Sequence, residues 1–186
     1  MSKLIYFMPM SMDGFISGEP DDYDWSAPDE EVSGLINDLH RPIGTYLYGR
    51  NNYEMMTVWE TPDAIPDMTP GMMEWARIWQ AADKIVYSKS LKTVSTAKTR
   101  LEREFDPQAI RELKAQSPHD ISVAGPNLAA QAIKAGLVDE YQLLLVPFML
   151  GCGKRVLPTD TRVKLTLLDE RRVGNGWVYL RYGTQV

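Results

Sequence analysis

The residues best suited to chemistry lie in four short polar turns, each following an apolar segment that is predicted to be a strand. The turns are Ser11-Met12-Asp13-Gly14, Gly49-Arg50-Asn51-Asn52, Ser88-Lys89-Ser90 and Ala124-Gly125-Pro126-Asn127. Glycine lets a ligand approach the backbone, arginine pairs with phosphate through two hydrogen bonds, and the first amides of a helix bind anions. Each turn alone also fits an ordinary connection between two elements. Three phosphate-suited turns after three parallel strands together predict a phosphorylated, dinucleotide-like ligand across the strand ends.

Two carboxylates are candidates for the acid in such a site. Glu30 lies two residues after Pro28, at a predicted helix start, and Asp13 directly follows the first strand. A general acid needs a pKa raised by burial, which a nearby tryptophan and methionine surface would provide. We assign Glu30 to proton supply and Asp13 to orienting the substrate or holding its loop. The alternative is structural, since acids favour a first helical turn and Asp-Gly is a common turn pair.

A methionine- and tryptophan-rich stretch offers an apolar surface for a flat substrate. Its members are Met55, Met56, Trp59, Met68, Met72, Met73, Trp75 and Trp79. Most of these side chains are expected in the core, and some can line an adaptable pocket. We predict that Met12, Trp25 and Trp59, together with Asp13, contact the substrate.

Charge and composition exclude several other function classes. The 186 residues carry 20 basic and 25 acidic side chains, a formal net charge of −5, which disfavours a nucleic acid or an anionic membrane as partner. One cysteine and two histidines exclude a disulfide framework and disfavour a metal site. No apolar run approaches the ~20 residues of a membrane span, so the expected location is the cytoplasm.

The turns are positioned by an alternation of strands and helices in what we predict to be one domain, residues 1–186. Predicted strands are Leu4–Met12, Thr45–Tyr48, Lys84–Tyr87, Ile121–Ala124 and Tyr141–Val146, predicted helices are 29–39, 70–82, 107–116 and Asn127–Ala135, and a terminal hairpin spans 162–183. This order predicts an α/β fold with a mostly parallel central sheet, flanking helices and an antiparallel C-terminal hairpin. The irregular, proline-rich stretch 57–72 is predicted to be a binding loop.

The ordered set of motifs resembles the dihydrofolate reductase-like superfamily, and within it the reductase domain of the bacterial bifunctional riboflavin-biosynthesis deaminase/reductase. The matching pieces are Ser11–Gly14, Tyr48-Gly49-Arg50 with Tyr53-Glu54, Val86–Leu91, Val123–Gly125, Gly136–Glu140, Pro147–Gly153 and Gly176–Tyr182. No single piece is specific, but the set spans nearly the whole chain in order.

The resemblance implies NADPH as the cofactor and a small heterocycle, pyrimidine- or pteridine-like, as the substrate. It implies that the cofactor phosphates contact Gly49, Arg50, Asn51 and Asn52, the 2′-phosphate contacts Ser88 and Lys89, and the pyrophosphate contacts Gly125, Pro126, Asn127 and Leu128. Trp25-x-x-Pro28-x-Glu30 resembles the helix start whose acid serves the substrate ring in dihydrofolate reductases. The resembling group also pairs through sheet edges and the loops near 147–157, so a homodimer is expected.

The sequence departs from the riboflavin-pathway reductases at two places. An acid before a double glycine is replaced by Ala124-Gly125-Pro126, and an Asp-Asn-Pro stretch is replaced by residues 57–72. The expected function is therefore NADPH-dependent reduction of a heterocycle, similar to that of a 5-amino-6-(5-phosphoribosylamino)uracil reductase. The alternatives are a true dihydrofolate reductase and a non-catalytic nucleotide-binding module.

Overall fold

Ten strands and five α-helices make up the protein, in a computed structural model that describes residues 1–18 and 24–185. The strands are β1 (Leu4–Ser11), β2 (Phe15–Ser17), β3 (Ile43–Gly49), β4 (Asp83–Tyr87), β5 (Thr99–Glu102), β6 (Asp120–Ala124), β7 (Glu140–Val146), β8 (Lys154–Arg155), β9 (Leu165–Val173) and β10 (Trp177–Thr184). The helices are α1 (Glu30–His40), α2 (Arg50–Met56), α3 (Pro70–Ala81), α4 (Pro107–Gln116) and α5 (Pro126–Lys134).

Eight of these strands form one sheet in the order β5-β4-β3-β6-β1-β7-β10-β9. The first six run parallel to their neighbours, whereas β10 is antiparallel to both β7 and β9. The short strands β2 and β8 pair separately beside the sheet. The predicted α/β class, parallel sheet and antiparallel C-terminal hairpin are confirmed.

The central strands are apolar because helices cover both faces of the sheet. Side chains alternate along β1, so Leu4 and Tyr6 join a core shared with α4 and α5, while Ile5 joins a second core that contains Trp79 of α3. A third cluster packs Val32 of α1 against β7 and β10. The apolar face of α1 is thus the side that packs this helix against the sheet.

The start of α1 is anchored to the tip of the C-terminal hairpin. One carboxylate oxygen of Asp29 accepts the amide of Val32 at 2.9 Å, and the other accepts the amide of Asn175 at 3.0 Å. Gly174 has a positive φ of 50° and lies so close to this carboxylate that a Cβ would clash. The helix therefore begins at Glu30, because Asp29 serves as its cap.

The remaining differences from the sequence-based prediction concern short elements. Helix α2 has seven residues, too few to show a helical period, and the expected loop 57–72 contains 3-10 turns at Thr57–Glu60 and Pro62–Ala64 before α3 begins. The longest helix in the described ranges, α3, has 12 residues, and no helix there is long and apolar enough to cross a membrane.

Candidate active site

A cleft of about 800 Å³ lies at the carboxyl ends of β3 and β6 and extends between α1 and α3. Parallel sheets place ligands at this edge, where the strand ends meet the starts of the following helices. Its walls come mainly from β1, β3, β6 and the helices α1, α2, α3 and α5. The lining includes Phe7, Pro9, Ser33, Ile36, Asn37, His40, Tyr46, Tyr48, Gly49, Arg50, Asn51, Asn52, Met55, Met56, Trp59, Met72, Trp75, Ala124, Gly125, Pro126, Asn127, Leu128 and Lys154.

One end of the cleft is formed by the start of α5. Gly125 precedes this helix with a φ of 88°, and no side chain caps the helix start. Pro126 has no amide hydrogen, so the first free amides belong to Asn127 and Leu128, which also line the cleft. This end presents backbone donors that no capping side chain occupies and that can bind an anion.

Strand β3 ends beside α5 and completes the same end. A Cβ built on Gly125 would lie 3.6 Å from the Cβ of Asn52, so the two segments meet closely. Asn52 Oδ1 is buried and has no hydrogen-bond partner, and Gly49 precedes α2 without a side-chain cap. The structure thus brings the predicted Gly49–Asn52 and Gly125–Leu128 segments together at one end of the cleft. We call these two segments the α5 cradle.

The arginine, serine and lysine side chains that were predicted to bind the cofactor phosphates make different contacts from those expected. Arg50 donates from Nε to Glu54 at 2.8 Å and from Nη1 to the hydroxyl of Ser90 at 3.1 Å. Ser88 Oγ is occupied by the backbone amides of Ser90 and Leu91, and Lys89 is exposed in an ion pair with Glu104. Ser88 and Lys89 do not line the cleft. The hydroxyl that contacts Arg50 belongs to Ser90.

Neither predicted acid lines the cleft. Asp13 accepts hydrogen bonds from Ser11 Oγ at 2.6 Å and from the amides of Leu150 and Gly151 at 3.1 and 2.6 Å. These bonds, that of Ser11 foremost, lower the pKa of Asp13 to about 2, which suits a loop anchor and disfavours proton donation. Glu30 is exposed at the first turn of α1.

Two of the predicted substrate contacts lie beside the cleft, and one lies in it. Met12 is exposed next to the loop that Asp13 anchors, and Trp25 stacks on Phe148 with ring centroids 5.9 Å apart. Trp59 lines the cleft and meets Trp75 edge to face at 6.4 Å. The roles of the predicted site residues stay predictions.

The sequence reasoning missed a polar stripe on α1. Ser33, Asn37 and His40 follow one another at helical spacing and all line the cleft. His40 is 5% exposed, its Nδ1 lies 3.1 Å from the hydroxyl of Tyr46, and its Nε2 has no partner. Burial lowers the pKa of His40 to about 3, so the ring is neutral at physiological pH. The sequence signal that could have revealed this stripe is the spacing of its three polar residues, which are four and then three positions apart along α1.

Aromatic rings surround this stripe. Phe7 and Trp75 both meet the His40 ring edge to face, at centroid distances of 4.6 and 4.8 Å. Tyr46 and Tyr48 stack nearly parallel at 5.6 Å. Within residues 1–18 and 24–185 no carboxylate lines the cleft, and no group of side chains there could hold a metal ion. The second end of the cleft is therefore apolar and aromatic with a few neutral polar groups.

Nearly the whole chain corresponds to a known protein family. The model of the family described as the RibD C-terminal domain matches residues 2–179. The chain belongs to the RibD C-terminal domain family. The uncharacterized protein YyaP of Bacillus subtilis (strain 168) is 28% identical over 192 residues, covering 97% of this chain and 94% of YyaP.

Solved structures show the same fold. A protein of Shewanella sp. PV-4 named for riboflavin biosynthesis superposes with a TM-score of 0.78 at 18% identity, covering 99% of each chain. Dihydrofolate reductase from Enterococcus faecalis, complexed with NADP(H) and RAB-propyl, superposes with a TM-score of 0.64 at 13% identity, covering 99% of this chain and 97% of the reductase. This member of the RibD C-terminal domain family therefore has the dihydrofolate reductase-like fold, as the resemblance implied.

Proposed function

We propose that the protein is an NADPH-dependent reductase of a small heterocyclic substrate. The observation that carries the proposal is the continuity of the cleft. Its α5 end has the open glycine turn and free amides that suit a pyrophosphate, and its other end has the aromatic walls that suit a flat ring. Membership of the RibD C-terminal domain family, which typically uses NAD(P)H, supports the cofactor.

The residues at the α5 end fit a dinucleotide. Asn127 and Leu128 would donate their amides to the pyrophosphate, and the orphaned Asn52 Oδ1 would accept a hydrogen bond from the cofactor. Arg50 and Ser90, joined at 3.1 Å, would bind the 2′-phosphate that distinguishes NADPH from NADH. When bound, NADPH supplies a hydride to the carbon of a C=N or C=O bond, and the adjacent nitrogen or oxygen takes up one proton.

The chain's own contribution is to hold the ring and exclude water. Met55, Met56 and Trp59 close one side of the aromatic end, and the ring of Trp75 closes another. Burial raises the pKa of Tyr46, so this hydroxyl keeps its proton at neutral pH. Burial lowers the pKa of His40, so its ring is already neutral and carries no imidazolium proton to donate. The proton source that remains consistent with the geometry is a water molecule that enters the cleft from solvent. Such a water could supply the proton directly or pass it on from Glu30.

The same cleft weighs against the folate alternative. The resemblance to dihydrofolate reductases implied an acid facing the substrate ring, and Glu30 at that position is exposed and outside the lining. A pteridine with a protonated amidine edge would meet no carboxylate among the described lining residues. We therefore favour a heterocycle that is neutral where it meets α1.

The test has two steps, binding and turnover. Titration with NADPH and with NADH at matched concentrations, followed by the melting temperature, should show a larger shift for NADPH. A ligand at 100 times its dissociation constant adds about 2.7 kcal/mol to the free energy of unfolding. Equal shifts would exclude a specific 2′-phosphate contact, and no shift with either would exclude the dinucleotide site.

Turnover then separates a reductase from a nucleotide-binding module. Each member of a panel of pteridines and pyrimidines is mixed with the NADPH-bound protein, and loss of the reduced nicotinamide absorbance is followed. A reductase consumes NADPH with at least one ring and yields a reduced product in equal amount. Retention of NADPH with every ring, at undiminished affinity, would favour the binding module.

A further inference from the structure

The tryptophan at the aromatic end of the cleft lies on a turn that its own backbone cannot complete. Trp59 belongs to the 3-10 turn Thr57–Glu60, and its indole lines the cleft beside Trp75. If the 3-10 helix continued, the carbonyl of Trp59 would accept the amide of residue 62. Residue 62 is a proline and has no amide hydrogen, so this carbonyl needs a donor from elsewhere in the chain.

That donor is the side chain of Gln80 on α3. Its Nε2 donates to the carbonyl of Trp59 at 2.8 Å and to the carbonyl of Glu60 at 3.3 Å. Both partners can only accept, so the orientation of the Gln80 amide group is fixed by their chemistry. The two amide hydrogens of Gln80 thus bind the last two carbonyls of the turn.

The side chain of Glu60 holds the same end of the turn from another direction. Its Oε1 accepts the amide of Ala97 at 3.0 Å, and its charge acts on the ammonium group of Lys84, which is 1% exposed. That ammonium group donates to two carbonyls at the end of α3. Gln80 and Glu60 therefore tie the turn both to the end of α3 and to the chain around Ala97.

Gln80 makes these contacts from outside the cleft. Met72 and Trp75 of α3 line the cleft, whereas Gln80 lines an open groove on another side of the helix, together with Arg77. Gln80 can therefore influence a ligand in the cleft only through Trp59. A four-residue turn has little stability of its own, so the position of the indole depends on these side-chain contacts.

We propose that Gln80 is a positioning residue for the aromatic end of the cleft: through the carbonyls of Trp59 and Glu60 it fixes the indole that a flat ring contacts. The contact between ring and indole rests on the proposed function. The placement of the indole by Gln80 does not, so the two can fail separately. A bound ring selects the placed turn, so loss of Gln80 should weaken ring binding without changing the reaction of the bound complex.

The first measurement is the fluorine NMR spectrum of the unliganded protein labelled with 5-fluorotryptophan. The chain has five tryptophans, and Trp59→Phe identifies the resonance of Trp59. Gln80→Met keeps the length of the side chain and removes its donors, so the Trp59 resonance should shift or broaden. Gln80→Lys restores a donor of similar reach and should return this resonance toward its native position.

The matched control is Gln108→Met on α4. Gln108 is exposed and donates from its side-chain amide to Glu112 at 3.0 Å, and none of the described residues of α4 lines the cleft. This substitution removes a hydrogen bond of the same donor group and should leave the Trp59 resonance unchanged.

The second measurement is steady-state turnover with NADPH and the ring, from the panel of pteridines and pyrimidines, that is reduced fastest. Gln80→Met should raise the KM for that ring about three- to tenfold, because the placed turn is populated for a smaller fraction of the time. The kcat and the NADPH affinity should stay within about twofold, since neither the bound complex nor the α5 cradle depends on Gln80.

The outcomes separate this proposal from the proposed function. An unchanged Trp59 resonance in Gln80→Met, or an equal change in Gln108→Met, would overturn the positioning role whether or not NADPH binds. A fall in kcat at unchanged KM would overturn it as well. If no ring is reduced, the reductase is overturned, and the fluorine spectra still decide whether Gln80 places Trp59.

Discussion

Replacing His40 with glutamine should remove a loss of stability that the native protein suffers between pH 7 and pH 5. Burial lowers the pKa of this histidine to about 3 in the folded chain, against about 6.5 when unfolded. As the pH falls below 6.5, the unfolded chain binds a proton that the folded chain refuses. Stability from this group is therefore complete above pH 6.5 and decreases toward pH 3.

The size of the effect follows from the two pKa values. At pH 5 the unfolded chain is favoured by about 2 kcal/mol relative to pH 7, through this one residue. For a chain of 186 residues that corresponds to a shift of about 4–8 °C in melting temperature. Protonated carboxylates add their own pH dependence, so the informative quantity is the difference between native protein and variant at each pH.

The assay is urea unfolding of native protein and His40→Gln at pH 7 and pH 5. The variant is expected to be less stable at pH 7, since it loses the edge contacts with Phe7 and Trp75. That deficit should shrink by about 2 kcal/mol at pH 5. The control variant is His119→Gln, which replaces the other histidine, an exposed one. It measures how much of the pH-dependent change in stability follows from replacing a histidine that is not buried. A deficit of the same size at both pH values would refute the reasoning.

Further predictions concern the cradle, the acid and the assembly. Arg50→Ala should weaken NADPH binding about tenfold with little change in melting temperature, because its partners Glu54 and Ser90 are exposed, and Arg111→Ala should change neither. Gly125→Ala should lower the free energy of unfolding by about 1–3 kcal/mol, seen in urea, since φ is 88°. Glu30→Gln should slow single-turnover hydride transfer at unchanged NADPH affinity. An unchanged rate across pH 5–8 would show that Glu30 is not the acid. Sedimentation should give twice the mass of one chain, pairing through exposed apolar side chains near 147–157, and a monomer would contradict it.

The main strands, their parallel arrangement and the edge of the sheet at which the cleft lies could be predicted because they depend on local patterns. The apolar runs that became β1, β3, β6 and β7 are buried on both faces, and such runs are visible in any short window. The glycine turns at 49 and 125 follow from the same logic, since a parallel sheet collects its strand ends at one edge.

The roles of individual side chains could not be predicted because they depend on distant partners. Asp13 looked like a site residue, and the amides that occupy it belong to Leu150 and Gly151, 137 and 138 positions away. The sequence analysis did not single out Asn37 or His40. Their polarity is informative only once α3 is known to pack over them, and that contact is set by the tertiary fold.

The anchoring of Asp29 by the hairpin tip has a consequence for synthesis on the ribosome. Helix α1, which carries Asn37 and His40, is capped early in the chain by a residue that also needs the amide of Asn175. Strand β1 likewise waits for β6 and β7, made more than 100 residues later. Contacts this remote form late, so the hairpin tip can anchor the start of α1 only after Asn175 has been synthesised.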